Sequence, residues 1–474
     1  MQYRETMLHH QDQAGIMETT SNLKRAALII ASLSCFCVPF LGSSVNVALP
    51  SIGQEFRMGP VMLGWISTSF LLTVAPLIIP FGRLGDIHGR KMIFLGGVYI
   101  LLGALLLNAT SHSGSMIILS RAIQGLAAAM MFSTVIPMLV AAVPLNERGH
   151  VLGIVTAMTY FGLSTGPFLG GIITYYLGWR FIFWFNFPIS LVLLFVAHFM
   201  LEGDWKEAKG EKFDVTGATL LGCGLLAMMY GFSTMPSISA AFLVAAGILC
   251  LICFVLFEIK MTYPIVDINL FRHNKVFAYS NLAALINYAS TFAVTFLLNL
   301  YLQQVKAMTP RYVGLILVVQ PAVQALFSPL TGRMSDRIEP RLLASWGMAC
   351  TFIGLIMLIF LDAGSPLPYI LICLMIQGFG FALFASPNTN AVMSSVERHV
   401  YGVASATLST MRQMGMTFSM GIVMMTMSML LSTKDIIPTH PREFIESMRI
   451  SFAIFAFLCL GGIFASMARG TVNK

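Results

Sequence analysis

Long apolar stretches alternate with short polar ones along the whole chain, and that pattern sets its class. Windows long enough to cross a bilayer, about 20 residues each, recur about fourteen times between residues 26 and 468. In lipid a single apolar segment can satisfy its own backbone only as a helix. The pattern therefore predicts an all-α polytopic membrane protein with about fourteen transmembrane helices and little folded mass outside the bilayer. Composition agrees. Of 474 residues, 57% are hydrophobic and 10% charged, with a mean hydropathy of +0.81. A soluble domain carries about 25% charged residues and could not bury this much apolar side chain.

Residues 1–25 are polar and mixed in charge, and read as a short cytoplasmic tail. They do not form a signal peptide, because the span that follows is too long and lacks a small-residue cleavage site. The net charge of +8 would suggest nucleic acid in a soluble protein; here the loops explain it. With the N-terminus inside, inner loops hold about nineteen of the 28 Lys and Arg residues and outer loops about seven. The positive-inside rule then places both termini in the cytoplasm; a multi-pass protein of the plasma membrane is expected. Arg121 and Arg412 fall within spans.

The chain also repeats itself. GRLGD at 82–86 returns as GRMSD at 332–336, IQG at 123–125 as IQG at 376–378, and ERGHVLG at 147–153 as ERHVYG at 397–402. Three matches in one order at a nearly constant offset indicate two homologous halves. These are residues 26–201 and 276–468, six spans each. Residues 202–275 form a linker with two inserted spans, and 469–474 a cytoplasmic tail. Paired halves suit a transporter whose substrate binds between them.

Other chemistries lack their residues. There is no GxxxxGK[ST] phosphate loop, no HExxH, no GxSxG and no pair of mid-span aspartates, so neither ATP-driven transport nor an enzyme is expected. All eight cysteines lie in apolar runs, and Cys250 and Cys253 have no second ligand pair nearby. No metal or cofactor is expected.

Several local patterns carry more. Gly82–Lys91 (GRLGDIHGRK) reads as a basic turn in which Asp86 faces a helix start while Arg90 and Lys91 stay in the cytosol. Arg121 and Gln124 stand in an RxxQG run; an arginine inside a span either snorkels outward or serves function. Gly162, Gly166 and Gly170 share one helix face beside Pro167, which suits close packing and a softened helix. Together with GWRFIFWFNFP at 178–188 and the GVASA…RQMG run at 402–415, these patterns resemble the fourteen-helix drug:proton antiporters of the major facilitator superfamily. The resemblance covers residues 40 to about 421. It implies that Asp86 and Arg90 latch the halves, that Arg121 and Gln124 serve proton transfer, and that the glycine–proline face of span 5 serves antiport. Asp336 is the weaker counterpart of Asp86.

One departure matters. That family carries an aspartate in its first span, and the corresponding residue here is Leu41, just before VNVALP at 45–50. No acidic residue lies in the middle of any span. A buried cation needs a carboxylate, so neutral, zwitterionic or anionic amphipaths fit better than a dication. Candidate cavity residues are Asn46 with the neighbouring Ser43 and Ser44, Tyr160, Asn287, Tyr288, Phe292, Gln320, Gln377, Phe381, Asn388, Met411, Arg412 and Met414. Each could equally bridge or pack helices. The expectation is a monomeric exporter of amphipathic small molecules, exchanging them for protons among membrane lipids and binding no nucleic acid. The alternative is a carrier for a neutral or anionic metabolite without obligatory proton coupling.

Overall fold

The computed structural model describes residues 2–144, 147–201, 203–261, 264–266, 268–335, 337–397, 401–431 and 440–470. The first half comprises Gln2–Phe56 (α1), Pro60–His88 (α2), Arg90–Ala109 (α3), Gly114–Ala141 (α4), Arg148–Tyr176 (α5) and Phe181–Phe195 (α6). The inserted hairpin is Val215–Ser233 (α7) and Ile238–Glu258 (α8). The second half comprises Lys275–Leu300 (α9), Pro310–Leu317 continued by Val319–Ser335 (α10), Pro340–Ile359 (α11), Leu367–Ser394 (α12), Tyr401–Leu430 (α13) and Pro441–Ala468 (α14). Among the described residues, thirteen helices are long and apolar enough to cross a membrane, and α13 fills the remaining predicted position. Side chains cap several helix starts: Ser113 accepts from Met116 N–H, Asp214 from Gly217 N–H and Asn274 from Phe277 N–H.

The internal repeat is visible in the packing. Gly125 on α4 lies against Phe70 and Thr73 of α2, and Gly378 on α12 lies against Gln320 and Val323 of α10. A side chain at either glycine would enter the neighbouring backbone. Of the repeat residues, 336 and 398–400 lie outside the described residues.

Fourteen crossings put both described chain ends on one side of the bundle, here called the terminal face. The close approaches between the halves lie toward the opposite, far face. Gly64 and Thr68 of α2 meet Met420 and Met424 of α13. Gly171 of α5 meets Pro310 and Gly314 of α10. Asn299 and the following Gln303 donate to α1. The inserted helix α7 packs on α2 and α13 together. Leu221 and Leu225 join Leu72 and Ile79 of the first half and Met414 of the second in one apolar cluster.

Two sequence expectations change. The Gly82–Lys91 run is not a loop: α2 continues to His88, and Gly89 alone, at φ 125°, turns the chain into α3. Asp86 therefore ends one helix rather than facing the start of another. Arg90 is not solvated either, being 5% exposed.

Candidate functional site

The first helix explains why its polar residues carry no charge. Ser44 donates to the Gly166 carbonyl at 3.0 Å, and Ser43 to the Pro39 carbonyl at 2.9 Å in its own helix. A Cβ on Gly162 would sit 2.6 Å from the Phe36 carbonyl oxygen, and one on Gly170 2.8 Å from the Ser44 Cα. The glycine face of α5 is thus the seat of α1, and the serines fill it with hydrogen bonds rather than facing a cavity. Gly415 of α13 seats against Leu285 and Tyr288 of α9 in the same way.

Pro50 has a further effect. Proline has no N–H, so it leaves the carbonyl four residues back, that of Asn46, without its helical partner. The Asn299 side chain fills that vacancy at 2.5 Å. Gln303 donates to the next carbonyl, Val47, at 2.7 Å, and also to Asn299 Oδ1 at 2.7 Å. The Asn46 side chain meanwhile accepts from Ser67 of α2 at 2.9 Å. Asn46 therefore belongs to a polar clasp joining the halves near the far face. Gly171 and Gly314 support it by letting α5 and α10 touch at the backbone.

On the terminal face the family-like motif binds the linker. Arg90 donates to Asp86 Oδ1 at 2.8 Å and, bidentate, to Glu207 at 2.7 Å for both bonds. Arg83 pairs with Glu211, and the Asp86 carbonyl accepts from Ala208 N–H at 3.0 Å. Every one of these partners lies in the first half or the linker after α6, so in this state the motif straps the linker down. The counterpart Asp336 lies outside the described residues.

The two intramembrane arginines differ. Arg121 is 2% exposed, donates to Gln124 Oε1 at 2.6 Å and to the Ile66 carbonyl at 3.3 Å, and lies 4.7 Å from the Phe70 ring centre. It is closed in between α4 and α2, with no ion pair among the described residues. Arg412 is only half-buried. It donates from Nη2 to Thr389 at 2.6 Å and lies 5.7 Å from the Tyr288 ring centre, while its buried Nε has no partner. Tyr288 meets Phe381 edge to face at 5.2 Å. Tyr160, on α5 of the other half, is half-buried. Beside Tyr288 in sequence, Asn287 is fully buried with both amide atoms unpartnered. The Arg412 patch itself offers a cation with an unpartnered N–H and an aromatic wall.

Other candidates serve elsewhere. Gln377 is tied to the Thr351 carbonyl of α11. Asn388 donates to the Ser280 carbonyl and accepts from Arg469. Gln320 accepts from Thr295 at 3.5 Å, and Phe292 packs on the main core. Met411 and Met414 contact the cluster around the inserted hairpin. Pro167 places its carbonyl against Gly314.

Sequence reasoning missed Asn299, Gln303 and Thr389. The first two are an i, i+4 polar pair in an apolar helix, a detectable signal. It also missed the partners of the GWRFIF run: Arg180 and Trp179 both bond Glu55. Arg469, 1% exposed just beyond α14, bonds Ser280, Asn388, Ser466 and the Pro340 carbonyl. Burial pushes its guanidinium down to about 10.

The sequence model of the Major Facilitator Superfamily matches residues 31–257 and 280–471. The riboflavin transporter RibZ of Clostridioides difficile is 28% identical over 443 residues, covering 93% of this chain and 96% of that one. The cephamycin export protein CmcT of Amycolatopsis lactamdurans is 31% identical over 408 residues, 84% of each chain. The multidrug resistance protein Stp of Mycobacterium tuberculosis is 30% identical, covering 84% of this chain and 74% of that one. Among solved structures, the nucleoside transporter NupG superposes with a TM-score of 0.63 at 14% identity, over 94% of this chain and 99% of that one. The human organic anion transporter MFSD10 superposes with a TM-score of 0.61, also at 14% identity and with the same coverage. Both likenesses concern the fold.

Proposed function

The chain belongs to the Major Facilitator Superfamily, and from that premise we propose that it exports neutral or anionic amphipathic small molecules by alternating access, in exchange for protons. One observation carries the choice of substrate. The half-buried Arg412 keeps a donor free beside Tyr288 and Phe381, and among the described residues no span offers a carboxylate at that depth. An acidic or strongly polarised group on the substrate would complete the guanidinium's bonding, and a flat ring would pack on the aromatic wall.

The excess of Lys and Arg on the terminal face supports assigning that face to the cytoplasm and the protein to the plasma membrane. With the halves joined near the far face, the Arg412 patch is then loaded from the cytoplasm, as an exporter requires. The proposed cycle breaks the Asn299–Asn46 clasp, rocks the halves, and releases substrate outside. Proton exchange rests on the likeness of the α5 glycine–proline face and the Arg121–Gln124 pair to those of the antiporters.

Two relatives are named for resistance or export, which supports a range of substrates. The relative named a riboflavin transporter and the aromatic wall beside Arg412 favour a second reading, a carrier dedicated to one flat metabolite. Inverted vesicles with an imposed pH gradient separate these. The exporter accumulates several neutral and anionic aromatic compounds and loses them when a protonophore collapses the gradient. Accumulation of cations alone would overturn the substrate assignment; indifference to the protonophore would overturn the coupling. Uptake of a single compound would favour the carrier.

A further inference from the structure

Two acidic side chains are buried where the inserted hairpin meets the terminal face. Asp214 begins α7 and Glu258 ends α8, and they are 8% and 2% exposed. Each uses one oxygen. Asp214 Oδ1 accepts from Gly217 N–H and Glu258 Oε1 from Val266 N–H, both at 2.8 Å. The other oxygens, Asp214 Oδ2 and Glu258 Oε2, are buried without a partner. Both converge above Gly217: a Cβ there would run into the two of them, 2.9 Å from Glu258 Oε2. Glycine leaves the room that brings the carboxyl groups together.

Neither residue joins an ion pair among the described residues. The basic residues on adjoining segments, Lys212, Lys260, Arg272, His273 and Lys275, are exposed. The elements packed nearby bring apolar side chains, Leu72 and Ile79 from α2 and Met414 from α13. Asp267 lies outside the described residues. Two like charges this close, out of water, cannot both ionise. One proton between them turns two orphaned acceptors into a donor and an acceptor, which form a strong charge-assisted bond.

We propose that Asp214 and Glu258 share a single proton, and that this protonated pair locks the segment leading from the hairpin into the second half. Glu258 holds that segment through Val266 N–H, and the Ile265 and Val266 side chains sit in the cluster that joins α2 and α13. Loss of the proton leaves two buried charges, which drives the carboxyl groups apart and frees the segment. A proton taken at the terminal face thereby acts on the contact between the halves, although among the described residues no span carries a mid-membrane acid. The pair stands independently of the substrate assignment, and its test does not measure transport.

The test uses the purified full-length protein in lipid nanodiscs. Infrared spectra near neutral pH should show a protonated-carboxyl band that disappears in both Asp214→Asn and Glu258→Gln. Hydrogen exchange of the 264–266 backbone should speed up severalfold as the wild type is titrated to alkaline pH, and should lose that dependence in the double variant. A band unchanged by either substitution would overturn the proposal, as would pH-independent exchange in the wild type, which needs no variant to fold. Protection that follows sodium rather than pH would assign the pair to a metal cation and equally overturn it.

Discussion

Replacing Asn299 by alanine removes the donor that fills the carbonyl vacated by Pro50. In the state described, Asn299 is fully buried and its bond to Asn46 measures 2.5 Å. A neutral hydrogen bond contributes about 0.5–1.5 kcal/mol net, and about 1.4 kcal/mol is tenfold in an equilibrium constant. If the bond exists only with the far face closed, Asn299→Ala should raise the population open at that face about two- to twelvefold. Adding Gln303→Ala removes the second bond, to Val47. The pair should then total about 1–3 kcal/mol, or about five- to 150-fold. Spin labels at the far ends of α1 and α9 report the population as a distance distribution. Fluorescence-detected melting checks that the fold survives. An unchanged distribution in the double variant would refute the clasp, and a shift toward closure would reverse its sign.

The two glycine contacts on α5 should fail differently. Gly162→Ala clashes with the Phe36 backbone inside the first half and should cost about 1–3 kcal/mol of stability; Gly153→Ala, with nothing within 4 Å, should instead raise stability by about 0.5–1 kcal/mol through helix propensity in the same melt. Gly314→Ala meets the Pro167 carbonyl of the other half, so it should spare the melting temperature and favour the far-open form in the spin-label distances. Arg469→Ala strips the bonds to Ser280, Asn388 and Pro340 and should destabilise the second half by about 1.5–3 kcal/mol, the worth of bonding to a charged group. Because that guanidinium titrates only near 10, the loss should be the same at pH 6 and pH 8.

The class and the halves were legible because they rest on length and repetition. A span must reach across the bilayer whatever it packs against, and a repeat is visible without knowing its contacts. Gly125 and Gly378 reached equivalent neighbours as their matching IQG runs suggested. Partnerships were not legible, because they join residues far apart in the chain. Ser43 and Ser44 looked like cavity residues until the glycine face of α5 was set beside them. The vacancy left by Pro50 could be deduced from VNVALP, but its filler is 253 residues away. Arg121 and Arg412 are both single arginines in apolar helices; only packing separates the enclosed one from the one with a donor to spare. The Gly82–Lys91 run misled for a local reason. Its glycines suggested a turn, yet Gly85 continues the helix and only Gly89 breaks it.

The central claim is that Arg412 selects for substrate charge. It is tested most directly by equilibrium binding of two aromatic ligands that differ only by a carboxylate and its neutral amide, to wild type and Arg412→Gln in nanodiscs. The account predicts that wild type prefers the carboxylate, and that Arg412→Gln weakens it about tenfold or more, by the roughly 1.5–3 kcal/mol of a charged hydrogen bond, while leaving the amide within about twofold. Equal losses for both ligands, or no loss for the carboxylate, would contradict it.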